Sequence, residues 1–208
     1  MNLTNSELRQ RARKTLGGNI FDQKWLMALA VSFVLSAILS VASLVPSGIV
    51  TIIISGPIMV GLHKTFLIAT RTKETITFNN AFDGFNNFAQ AFLLSFLQSI
   101  FVMLWSLLFI IPGIVKSYAY SMAYYIMVDH PEYTWKQCLD ESQKMTNGYK
   151  WQLFCLDFSF IGWYLLGSLA FGLGGFWVAP YHYAARAEFY HALKGDAIYF
   201  EPVTDDYN

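Results

Sequence analysis

Three long stretches without charge limit what this chain can fold into. From Trp25 to Leu62 there are thirty-eight residues without an Asp, Glu, Lys or Arg, from Gly84 to Val115 there are thirty-two, and a third run covers Phe158 to Ala185. A bilayer core about 30 Å thick takes about 20 apolar residues per helix, so each run holds more than one span and reads as most of a helical hairpin. The composition agrees, with 55% hydrophobic, 17% aromatic and 13% charged residues, against roughly 25% charged in an ordinary soluble domain. Fourteen Lys and Arg balance fourteen Asp and Glu. Net charge therefore selects no partner, and what matters is where the charges sit.

Each run is broken by turn chemistry: Pro46-Ser47-Gly48, Pro112-Gly113 and Gly172-Leu173-Gly174-Gly175. Pro and Gly interrupt helices for backbone reasons, which predicts helices at about 24–45, 49–70, 89–111, 113–129, 151–171 and 174–193. The three turns carry no charge. Lys116 apart, the Lys and Arg residues are read as lying in the N-terminal segment, in the connections between hairpins or at the inner end of the last helix. Under the positive-inside rule those connections and both termini are cytoplasmic. The charged segment of twenty-four residues ahead of the first run is unlike a secretory signal, so the N-terminus is expected to stay inside. Cys138 and Cys155 then face a reducing compartment and are expected as free thiols.

The segments entering the hairpins resemble one another. Thr4-Asn5-Ser6-Glu7 and Thr134-Trp135-Lys136-Gln137 both match the capping box, in which a Thr hydroxyl and a Glu or Gln side chain satisfy amides at a helix start. Leu3 with Leu8, and Tyr133 with Cys138, supply the flanking staple. Ile76, Thr77, Asn80 and Ala81 make a weaker middle copy without the Glu or Gln. Lys24-Trp25 and Lys150-Trp151 repeat a basic residue and an indole where a helix enters the bilayer. The expected fold class is an all-α membrane protein with six transmembrane helices as three hairpins, each preceded by a short amphipathic cytoplasmic helix. It forms a single integral membrane domain over 1–208, with pseudo-repeats at about 1–72, 73–131 and 132–195 and a polar tail at 196–208.

Charges inside spans are costly enough to be treated as functional candidates, and here they are Lys116, Asp157 and Arg186. Asp157 lies seven residues past Lys150, about 10 Å inside the boundary, and Arg186 lies at a similar distance from the end of the last helix. An antiparallel pair fits either a proton or ion relay or a structural lock between the last two helices, and the lock is preferred. Lys116, near the outer turn, reads as an interfacial lysine that snorkels to water. In the first helix Leu8, Ala12 and Leu16 form one stripe, with Arg9, Arg11, Arg13 and Lys14 around it. This fits either an in-plane helix on anionic lipid, at about 1 kcal/mol per basic residue, or a topology signal with a solvated face. Ser32, Ser36 and Ser40, and Gly113, Ser117 and Ser121, recur every four positions as packing seams open to interhelical hydrogen bonds. The histidines at 63, 130, 182 and 191 lack metal-ligand spacing, and no phosphate loop, serine elbow or metalloprotease helix is present. No cofactor or metal is expected.

Ile110-Ile111-Pro112-Gly113-Ile114-Val115-Lys116, Lys150-Trp151 with Leu156-Asp157-Phe158-Ser159-Phe160-Ile161-Gly162-Trp163, and Pro180-Tyr181 through Ala184-Ala185-Arg186-Ala187-Glu188-Phe189-Tyr190 carry a family resemblance. Over nearly its whole length the chain resembles bacterial multi-pass membrane proteins catalogued only as a domain of unknown function. That family is similar to the membrane portion fused to some glycerophosphodiester phosphodiesterases. The resemblance implies a bacterial plasma membrane location and the same helical architecture, and it supplies no substrate or catalytic residue. The functional expectation is a non-enzymatic scaffold or accessory subunit of a membrane complex, whose partners are membrane lipids and another membrane protein or a second copy, and not nucleic acid. The alternative is a transporter or lipid-handling protein with a pathway between the hairpins. An intramembrane enzyme ranks third.

Overall fold

The computed structural model describes residues 4–18, 22–44, 48–72, 76–169 and 174–195, and among them every regular element is a helix. In chain order these are α1 (Asn5–Thr15), α2 (Gln23–Ser43), α3 (Ile49–Thr72), α4 (Phe78–Phe82) with a 3-10 turn at Asp83–Phe85, α5 (Phe88–Leu108), α6 (Ile110–Ala119), α7 (Ala123–Asp129), α8 (Trp135–Met145), α9 (Lys150–Leu169) and α10 (Gly174–Lys194). Among the described residues α2, α3 and α5 are long and apolar enough to cross a membrane. Pro46 and Ser47 of the first expected turn, Gly172 and Leu173 of the third, Leu3 of the first staple and the tail at 196–208 lie outside the described residues.

Both capping boxes form. The Glu7 amide donates to Thr4 Oγ1 at 3.4 Å and the Thr4 amide donates to Glu7 Oε2 at 2.6 Å. Gln137 and Thr134 repeat the exchange at 3.4 and 2.8 Å. These bonds satisfy amides that have no partner inside the helix, and they pull the Glu7 carboxyl below its ordinary range. Thr77 caps α4 without a side-chain bond, and that helix is five residues long.

The expected helix over 113–129 is two helices. The chain reverses at Phe109, whose backbone is extended at φ −158° and ψ 141°, so Pro112 sits in the first turn of α6, where its missing N–H costs nothing. The second break, at 120–122, has a cause on another element. Ser142 of α8, fully buried, donates its hydroxyl to the Ala119 carbonyl at 2.7 Å and accepts the Met122 amide at 3.2 Å. Thr146 Oγ1 lies 3.3 Å from the same carbonyl. A side chain inserted into the backbone ladder is a recognised origin of helix breaks. Neither α6, with ten residues, nor α7, with seven, reaches across about 30 Å alone.

α3 lies at the centre, packed against α2, α4, α5, α7 and α10. Its glycines let other backbones touch it: a Cβ on Gly61 would lie 1.8 Å from the Ala81 carbonyl oxygen, and one on Gly84 would lie 2.0 Å from that of Pro57. α4 and the turn after it are thereby held against the middle of α3. On α1 the stripe of Leu8, Ala12 and Leu16 is completely buried, and the helix lies along α10. The apolar stripe of α1 is thus covered by protein.

Ser142→Ala removes the group serving both the Ala119 carbonyl and the Met122 amide, and a buried group left without a partner costs about 1–3 kcal/mol. A clear fall in thermal unfolding temperature in detergent is expected. Ser117→Ala, whose hydroxyl serves only its own helix, leaves that temperature nearly unchanged. Equal effects of the two would contradict this account of the break.

Candidate functional site

α9 and α10 pack side by side, which brings Asp157 and Arg186 together. Arg186 Nε donates to Asp157 Oδ1 at 3.0 Å and its Nη2 donates to Oδ2, so the guanidinium grips the carboxylate with two parallel bonds. His182, one turn before Arg186, reaches Oδ1 at 2.8 Å through Nε2. A carboxylate only accepts, so Nε2 carries the proton. In the neutral ring Nδ1 is then an acceptor, and it takes the Tyr164 hydroxyl at 3.3 Å. Phe160 stacks on the imidazole with centroids 4.7 Å apart. The side chains of Asp157, His182 and Arg186 keep only 13%, 23% and 26% of their surface exposed. In such a setting a bidentate, charge-assisted pair is far stronger than at a wet surface.

Two further clusters lie against α10. In the first, His63 of α3 donates Nδ1–H to the Met59 carbonyl at 2.7 Å, and its ring contacts Tyr124 and Tyr125 of α7 at 5.0 and 4.6 Å and Tyr183 at 6.0 Å. The second closes on Asp129, the last residue of α7, whose side chain is 4% exposed. Its carboxylate accepts from Arg71 at 2.9 and 3.0 Å, Tyr190 at 2.9 Å and Lys194 at 2.8 Å. His182, Arg186, Tyr190 and Lys194 are spaced by four. Each such step overshoots a full turn by about 40°, so the stripe rotates by about 120° along α10 and serves α9 first and α7 afterwards.

The other sequence candidates are placed differently. Lys116 is engaged by side chains from α5, from the end of α6 and from α8. Its ammonium donates to Gln143 of α8 at 2.9 Å and lies over the rings of Trp105 and Tyr120 at 5.2 and 5.7 Å. The reason is the fold of α8 onto the end of α6 through Ser142, which brings a polar side chain within reach of the amine. Around α1, Arg9 Nε donates to the Asn5 carbonyl and Arg13 Nε to the Gly18 carbonyl, and Arg11 and Lys14 also have partners. The serine stripes bond within their own helices: Ser32, Ser36 and Ser40 each donate to the carbonyl four residues back. Ser117 and Ser121 do the same over three residues. No hydroxyl of these two stripes is needed across a helix pair in these bonds.

Sequence reasoning passed over His182 and Asp129. The spacing of His182 and Arg186 by one turn was the available signal for the first, and the charged ends Arg71, Asp129 and Lys194 of α3, α7 and α10 for the second. Among the described residues no three His, Cys, Asp or Glu side chains gather as a metal set. Cys138 and Cys155 are free, and burial pushes the Cys138 thiol up to about 11. A cavity of about 360 Å³ lies between α2, α3 and α10, lined by Ser32, Ser36, Leu39, Met59, Phe176 and Tyr183 among others.

Asp157→Asn leaves the Arg186 charge without its counter-ion, and breaking a buried pair from one side costs about 3–5 kcal/mol. Arg186→Met is expected to lower thermal stability comparably, while the double variant Asp157→Asn with Arg186→Met recovers most of the loss. Additive losses in a double-mutant cycle of unfolding temperatures would show that the two side chains do not act as a pair.

No curated protein and no solved structure matches the chain. The profile of the family described as "Protein of unknown function (DUF975)" matches residues 1–117 and again 109–197. With the helical architecture above and nearly the whole chain matched, the protein belongs to that family.

Proposed function

We propose that this chain is a non-enzymatic multi-pass protein of the bacterial plasma membrane, with six spans in three hairpins and both termini cytoplasmic, acting as a scaffold or accessory subunit of a membrane complex. The observation that carries this reading is the engagement of the charges within the spans. Asp157 accepts from both Arg186 and His182, and Lys116 is bonded to Gln143. Asp157 and Lys116 are thereby each held by a partner from a neighbouring helix, as helix fasteners are. Intramembrane charges so paired lock helices together.

The pairing of α2 with α3, α5 with α6, and α9 with α10 supports three hairpins. So do the large apolar side chains exposed on α2, α5, α6 and α9, among them Val41, Leu107, Ile110 and Leu166, since exposed apolar surface of this extent calls for lipid or a partner. The paired capping boxes at Thr4 and Thr134 support a repeated unit. The second reading, a lipid-handling protein, draws on the cavity between α2, α3 and α10, whose lining is mostly apolar.

One measurement tests the topology and a second separates the two readings. In intact cells a membrane-impermeant thiol reagent is expected to label Ser43→Cys, at the outer end of α2, and to spare Lys136→Cys in α8 until the membrane is opened. The reverse pattern would invert the topology. In proteoliposomes carrying a fluorescent phospholipid, an added reductant is expected to bleach only the outer leaflet, as in protein-free vesicles. Complete bleaching would establish lipid transfer and sink the scaffold reading.

A further inference from the structure

The segment entering α5 presents a row of phenylalanines. Phe82, Phe85, Phe88, Phe92 and Phe96 follow one another ring to ring, at centroid separations of 6.5, 6.4, 6.3 and 5.6 Å. Phe82, Phe85, Phe88 and Phe96 each keep 39–43% of their surface exposed. The row begins in α4, the middle member of the three helices read from sequence as cytoplasmic, and runs without interruption onto the exposed face of α5.

We propose that α4 and the 3-10 turn after it lie inside the hydrocarbon of the inner leaflet, with the phenylalanine row as a lipid-contacting surface. This rests on the reading of α3 and α5 as spans. Three observations carry it. The first is depth. Gly61 and Pro57 of α3 touch the backbone at Ala81 and Gly84, and Gly61 lies eleven residues before the end of α3 at Thr72, about 16 Å along the axis. A helix held there is beside the middle of a span and not beyond its end.

The second is continuity. The rings of α4 and the turn join those of α5, a helix long and apolar enough to cross a membrane, so one unbroken apolar strip serves both. The third is the treatment of polar groups. From Gly84 onward no charge occurs until Lys116. Asp83 is neutralised by Lys64 at 2.7 Å, Asn86 donates to Asp83 at 3.4 Å, and Asn87 donates to the Pro131 carbonyl at 3.1 Å. The stretch from Phe78 to Asn87 thus carries a single charge, Asp83, and that charge is paired with Lys64 from a helix read as a span, the condition under which a charge is tolerated in lipid. By contrast α1 and α8 carry exposed Arg13, Lys136, Asp140 and Lys144.

The test places a nitroxide on the full chain in vesicles of phosphatidylethanolamine and phosphatidylglycerol. Cys138 and Cys155 are replaced by Ala, and Phe82→Cys, Phe85→Cys and Phe88→Cys are made one at a time. Leu107→Cys on α5 serves as the lipid reference and Lys144→Cys on α8 as the water reference. At all three phenylalanine positions collisions with oxygen are expected to exceed those with a water-soluble nickel complex by severalfold, as at position 107. Nickel access at 82 and 85 equal to that at 144, with 107 still in lipid, overturns the proposal and leaves the spanning reading intact. Exclusion of both reagents also overturns it and assigns the row to a protein partner or a second copy. Nickel access at 107 overturns both readings.

Discussion

A carboxylate taken out of water must be answered by cations and hydrogen-bond donors, and in this protein α10 supplies them twice. His182 and Arg186 answer Asp157 on α9, and Tyr190 and Lys194 answer Asp129 at the end of α7. The same helix fastens three more elements: Glu188 accepts from Thr15 of α1 at 3.0 Å, His191 meets Thr70 of α3 at 3.1 Å, and the Trp177 carbonyl accepts from Trp25 of α2 at 3.3 Å. Apolar packing has little preference between a lipid tail and another helix. Directional bonds from one helix to five neighbours therefore choose among the many ways such helices could pile together.

The arrangement also makes Asp157, Arg186 and Asp129 fasteners between helices. Each is largely buried, so withdrawing its partner leaves an uncompensated charge away from water. Arg186 is held by a two-point grip that constrains the angle between α9 and α10 as well as their separation. Asp129 gathers the ends of α3, α7 and α10, so the three helix ends are tied at one point by groups of opposite sign. The glycine contacts of α3 act at the opposite extreme of chemistry, bringing backbones together by removing side chains altogether.

Much of the helical architecture was legible because it is local. The absence of charge over tens of residues is a solvent requirement that each residue meets independently, and the helix limits at 49–70 and 174–193 come within a few residues of α3 and α10. Thr4 with Glu7, and Thr134 with Gln137, are capping partners three positions apart, so their bonds are written in consecutive residues. The break at 120–122 was invisible for the opposite reason. Its cause is Ser142, about twenty positions away, and nothing in the run from Gly113 to Asp129 announces a serine from another helix. The fates of Lys116 and of the α1 stripe were hidden in the same way, since each depends on which surface a neighbour brings.

Sequence alone determined that the chain is helical, apolar in long uncharged runs, capped at Thr4 and Thr134, and set with Asp157 and Arg186 at the two edges of the third of those runs. Those properties follow from single residues and short spacings acting against solvent. Only the tertiary structure decided that His182 joins the Asp157 pair, that Asp129 collects Arg71, Tyr190 and Lys194, and that the α1 stripe is spent on α10. It also set α4 against the middle of α3. Each of these turns on which faces of distant helices meet, and helix periodicity says which residues share a face without saying what that face will touch.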